Sequence, residues 1–130
     1  MYMKANEIVN LIEAKCKEIA DLLLKNPADI NLLSEILVEV NSLKFRTING
    51  IAYYDTILNE KRKEALLNLL RDEDKKKLLS SSTLTKNYLD GVLSEHVIPR
   101  DTLGNTLKAL YTSEENIRTL ISKQKFLLGV

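Results

Sequence analysis

The chain has 130 residues, 45% of them hydrophobic and 28% charged, and its 19 basic and 18 acidic side chains leave a net charge of +1. That length fits one domain, large enough to bury roughly two-thirds of its unfolded surface without a staple. The even charge balance argues against wholesale coating of nucleic acid, which draws affinity from a clear basic excess, and with no Trp, two Phe and five Tyr any stacking surface would be small.

Residues 5–25 read as the first helix. Ile8, Ile12, Cys16, Ile19 and Leu23 recur every three or four positions and form one apolar face, with Glu7, Glu13, Lys17, Glu18 and Asp21 largely opposite. Asn6 reads as the N-cap. Asn26-Pro27 ends the helix, because proline excludes the α-region from the residue before it. Cys16, the sole cysteine, lies on the apolar stripe and reads as a small buried hydrophobe; one thiol can build neither an internal disulfide nor a thiolate zinc site. The leading MYMKANEIV holds no uninterrupted apolar run of the signal-peptide kind. No apolar run approaches the roughly 20 residues that span a bilayer. The expected location is the cytoplasm, that of the host if the chain is phage encoded, with no membrane partner.

A second helical pattern covers residues 29–71. Ile30, Leu33, Leu37 and Val40 start its stripe, and Ile51, Tyr54, Leu58, Ala65 and Leu69 carry it on. Between them stands Asn49-Gly50, a hairpin signal when flanked by β-branched and aromatic residues. Yet the stripe resumes in phase after the glycine, and one interior Gly costs a helix only about 1 kcal/mol. The reading favours one long helix, with or without a kink at Gly50, over a break that would set Tyr53 and Tyr54 beside a turn.

Residues 72–83, DEDKKKLLSSST, change character and read as a connection. A helix follows over residues 84–96, with Leu84, Tyr88, Val92 and Glu95 in register. Pro99 suits the first turn of the next helix. From there to residue 128 Leu103, Leu107, Leu110, Ile117, Ile121 and Leu128 keep a heptad-like beat, interrupted by Glu114 and Gln124. The TSEE at residues 112–115 could open a separate helix as a capping box; without that break the helix would run about 40 Å. The expected fold is all-α: a single domain, 1–130, forming an elongated antiparallel bundle of three to five helices.

Catalytic chemistry is not legible. The one histidine, His96, stands beside Glu95 without an HExxH frame, and near a predicted helix C-terminus it reads as a dipole-compatible surface residue. The four glycines are scattered, so no loop can cradle a phosphate. Glu114-Glu115 and the acidic run at residues 72–74 have helix-terminal explanations. The expectation is no enzyme, no cofactor and no metal. Two basic clusters remain: Lys61, Arg62, Lys63 and Arg71, then Lys75, Lys76 and Lys77. Intrahelical pairs with Glu60 and Glu64 account for part of the first. The remainder could form a phosphate-binding patch, with Tyr53, Tyr54 and Tyr88 serving either as aromatic contacts or as core.

The most distinctive string is RTLISKQK at residues 118–125, preceded by YTSEEN. It resembles the R-[ST]-L-[LI]-S-x-x-K ending of small helical proteins encoded by tailed bacteriophages, often in early gene clusters for DNA recombination or single-strand binding. Tyr54, Arg62, Arg118, Ser122 and Lys125 are the positions that match; Asn49-Gly50 and Pro99 depart from that pattern. The resemblance implies a phage or mobile-element protein linked to DNA recombination or replication. Independently of it, spacings of four and three place Arg118, Ser122 and Lys125 on one helix face beside Ile117 and Ile121. Such a seam could close on a carboxylate of another helix, Glu64 or Asp55 for instance, or meet an acidic partner or a phosphate backbone. The resulting expectation is a non-enzymatic accessory protein that binds another protein and forms a homo-oligomer, its amphipathic helices burying their stripes in a neighbour. The alternatives are an inhibitor of a bacterial defence system and a salt-dependent nucleic-acid-binding protein.

Overall fold

The computed structural model describes residues 5–26 and 28–129. They form four α-helices in chain order: α1, Ala5–Lys25; α2, Ile30–Arg71; α3, Ser82–Val92; and α4, Ser94–Leu127, with a short 3-10 helix, Lys76–Ser80, between α2 and α3. Among the described residues there is no strand, and no helix is long and apolar enough to cross a membrane.

The start of α2 is fixed by Asp29, whose carboxylate accepts a hydrogen bond from the Leu32 N–H at 3.1 Å. Such caps stabilise a helix by about 1 kcal/mol. Asp72 closes α2 and then accepts from the N–H groups of Asp74 and Lys75, so the acidic run makes the turn that stops the helix. Ser81 caps α3 by accepting from Leu84 N–H. Side-chain capping by Asn6 and termination by Pro27 both fall outside the described residues.

α2 runs through Asn49-Gly50 as continuous helix. Gly50 is buried where α1, α2 and α4 approach one another: a Cβ there would stand 2.9 Å from Leu103 Cδ1 and 3.5 Å from Ile8 Cγ2. The glycine is therefore used for close approach rather than for a turn, and the hairpin signal is overruled by tertiary packing.

α2 and α4 form the antiparallel spine. Lys44 of α2 meets Glu114 of α4, and further along α2 Asp55 meets Arg100, which lies earlier in α4. Between them Leu33, Ile36, Val40 and Leu43 pack against Leu110 and Ile117, and α1 adds Ile19. A second cluster joins Ile12, Tyr54 and Leu103 across the same three helices. Fully burying a side chain of this kind contributes roughly 1.5–3 kcal/mol. Thr47 lies inside the core because its hydroxyl donates back to the Leu43 carbonyl at 2.7 Å.

Two boundaries differ from the sequence reading. The break near residue 96 falls instead at Leu93, which ends α3 and precedes α4, so Pro99 lies inside α4 rather than in its first turn. Pro99 has no N–H to donate to the Glu95 carbonyl, so α4 lacks that hydrogen bond near its start. His96 consequently stands in the first turn of α4, and the C-terminal-dipole rationale for it does not apply. Residues 112–115 open no new helix; Thr112 donates to Lys108 O within continuous α4.

Candidate interaction surfaces

The sequence-predicted basic residues do not converge. Lys61, Arg62 and Lys63 are consecutive on α2, so they project about 100° apart around it. Lys61 pairs with Glu64 at 3.8 Å, and Arg62 reaches across to Asp90 of α3 at 3.8 Å. Lys63 and Arg71 are exposed. Lys75 lies over the Tyr88 ring, 5.6 Å from its centroid. Arg62, Lys86, Leu79 and Leu89 line an open groove of about 490 Å³ between α2 and α3, with Asp90 on its wall.

The Arg118 seam closes within its own helix. Arg118 Nη2 donates to Glu114 Oε1 at 3.0 Å, and Asp55 is taken by Arg100 Nε at 2.9 Å, so neither Glu64 nor Asp55 completes the seam. Ser122 and Lys125 are exposed. Glu114 is the junction of two cations. Hydrogen bonds from Lys44 and then from Arg118 hold its carboxyl below the usual carboxylate range, against the opposing effect of burial. Lys44 also lies 4.6 Å from the centroid of the Tyr111 ring.

Cys16 is half-buried against both core clusters, and burial first, then the Glu13 charge, pushes its thiol up. That is the environment of an inert packing residue. Among the described residues no group of three or more His, Cys, Asp or Glu is placed to hold a metal ion.

No family model, curated protein or solved structure matches the chain.

What sequence reasoning missed is the outer face of α2. Val38 is 69% exposed, Phe45 70% and Ile48 41%. Val38, Phe45 and Ala52 are spaced by seven, and Asn41 and Ile48 each follow by three, the spacing of a coiled-coil seam. This seam lies opposite Val40, Thr47 and Tyr54, which face the core. At about 100° per residue, Asn41, Ser42, Phe45, Asn49, Ala52, Tyr53 and Thr56 fall within about 60° of Val38 and carry no charge; Ile48 and Arg46 stand at its two edges, with Glu39, Asp55 and Lys44 beyond them. One flank borders α1 through a shallow groove lined by Lys15, Glu39 and Arg46, and the other borders α4 at Tyr111. A second exposed apolar area, Leu24, Phe126, Leu127 and Leu128, lies at the end of the bundle where α1 and α4 finish. A second apolar heptad could have been found in the sequence by testing each face of the predicted helix, not only the strongest.

Proposed function

We propose that this chain is a non-enzymatic accessory protein that works by binding protein through the outer face of α2. The observation that carries the reading is the uncharged Val38–Phe45–Ile48 seam, laid along a helix whose opposite face is already packed in the core. A long helix normally turns charge toward water on the side away from its core. Here that side is apolar and polar-uncharged over five turns, which suits a protein surface.

The RTLISKQK resemblance supports a role in phage or mobile-element DNA metabolism; blocking a defence enzyme's surface would use the same face. Direct nucleic-acid binding has less support, since Lys61, Arg62 and Lys75 are each engaged within the chain. Light scattering after size exclusion, with and without a short single-stranded DNA, separates the readings. Protein binding predicts a mass that ignores the DNA. A DNA-dependent shift that disappears with salt and with neutral Lys61, Arg62 and Lys63 would favour the nucleic-acid reading.

A further inference from the structure

The groove between α2 and α3 gathers hydrogen-bond donors that the fold leaves unused. Arg62 stands on its α2 side, while Ser82, Lys86 and Asp90 follow one another by four along α3, a stretch of about 12 Å. Leu89 of α3 and Leu79 of the 3-10 helix supply the apolar part of the lining. Among the described residues, neither the Lys86 ammonium nor the Ser82 hydroxyl has a partner. Arg62 meets only Asp90, at 3.8 Å, too far for a hydrogen bond, so its guanidinium N–H groups stay unbonded. We propose that this groove docks a short acidic segment of another protein, one in which carboxylates flank a Leu- or Phe-sized side chain. It is a second surface, about 25 Å along α2 from Phe45 and independent of the seam there.

Charge complementarity selects the occupant. Two cations and a free hydroxyl face a single carboxylate, Asp90, across the groove. Asp90 already brings carboxylate chemistry to Arg62 without bonding it, so a better-placed carboxylate can take the planar guanidinium edge. Lys86 receives a second carboxylate, and Leu79 and Leu89 cover the apolar side chain between the two. A nucleic-acid backbone is served poorly. Two cations make no track along a strand, Asp90 repels phosphate, and no aromatic ring lines the groove for a base to stack on. A small anion is served no better, because sites for small ligands enclose most of the ligand's surface and this groove is open. A peptide instead draws affinity from contacts spread along such a groove.

The test titrates the isotope-labelled full chain with a short peptide, a central leucine flanked on each side by glutamates, and follows backbone amide shifts by NMR. Saturable shifts are expected around the groove, at Arg62, Ser82, Lys86 and Leu89, with the remaining amides unmoved. Lys86→Glu and Arg62→Gln should each weaken binding about tenfold, and the unmoved amides confirm that both variants fold. Lys108→Glu, which changes the net charge equally on exposed α4, should bind like wild type. Replacing the peptide's leucine by serine should also cost about tenfold, through lost apolar contact. No saturation at about 1 mM peptide, shifts centred elsewhere, or an equal loss with Lys108→Glu would each overturn the proposal. So would a short single-stranded oligonucleotide that moves the same amides at lower concentration than the peptide. Phe45→Lys should bind the peptide like wild type, so failure at this groove and failure of the α2 seam are read separately.

Discussion

Lys44 of α2 donates a hydrogen bond to Glu114 of α4, and the two side chains are only 15% and 16% exposed. Seventy residues separate them in sequence. Their pairing turns an acidic interruption of the α4 stripe into a clamp between the two longest helices. Glu114 also accepts from Arg118 one turn on, so the carboxylate is held from its own helix and from its neighbour.

The clamp makes stability depend on acid. The carboxyl of Glu114 is depressed in the folded chain, first by Lys44 and then by Arg118. Its contribution is therefore fully present above the ordinary carboxylate range and is lost as pH falls through the depressed folded value. Glu114→Gln is expected to lower the melting temperature at neutral pH, and its difference from wild type should shrink toward zero in strong acid. A difference that stays constant with pH would show that the amide perturbs packing rather than charge.

Tyr54 is fully buried, and its hydroxyl has no hydrogen-bond partner among the described residues. An unsatisfied buried polar group costs about 1–3 kcal/mol, whereas a satisfied hydrogen bond contributes only about 1. Tyr54→Phe should therefore leave stability unchanged or raise it by up to about 1 kcal/mol in urea melts. A clear loss would reveal a buried partner such as an ordered water.

Gly50 occupies the crossing of three helices with little space to spare. Gly50→Leu should destabilise by about 1–3 kcal/mol through overpacking against Leu103. Gly50→Ala should be near neutral, because a helix-propensity gain of about 1 kcal/mol offsets the shift it forces on the Leu103 side chain. Thermal melts of both variants check the pair; a stabilised leucine variant would mean that the crossing is looser than the structure has it.

Cys16 should react with iodoacetamide far more slowly than a free thiol at neutral pH, because burial and Glu13 both raise its thiol. Adding denaturant should abolish the protection. Rapid alkylation of the native chain would contradict its packing against Ile12 and Ile19.

The extent of α1, the unbroken passage of α2 through Gly50 and the heptad of α4 were legible because each rests on periodicity within one segment. The α3–α4 break was not. Pro99 carries a strong local signal for a first turn, yet an exposed early turn tolerates proline, and the chain breaks at the buried Leu93 instead. The clamp escaped because a 3.6-residue pattern has no term for a lysine seventy residues away. Lys61, Arg62 and Lys63 looked clustered in one dimension, but the helix fans them apart. The α2 seam was concealed by its own helix, since Val38 and Phe45 alternate with the stronger inner stripe of Ile36, Val40 and Leu43.

Coverage of the outer face of α2 by protein is read out by placing a photo-crosslinking amino acid at position 45 in the full chain inside expressing cells. Position 87, exposed on α3, serves as the control. A discrete crosslinked protein adduct is expected from position 45 and none from position 87. Equal or absent crosslinking from the two positions would contradict it.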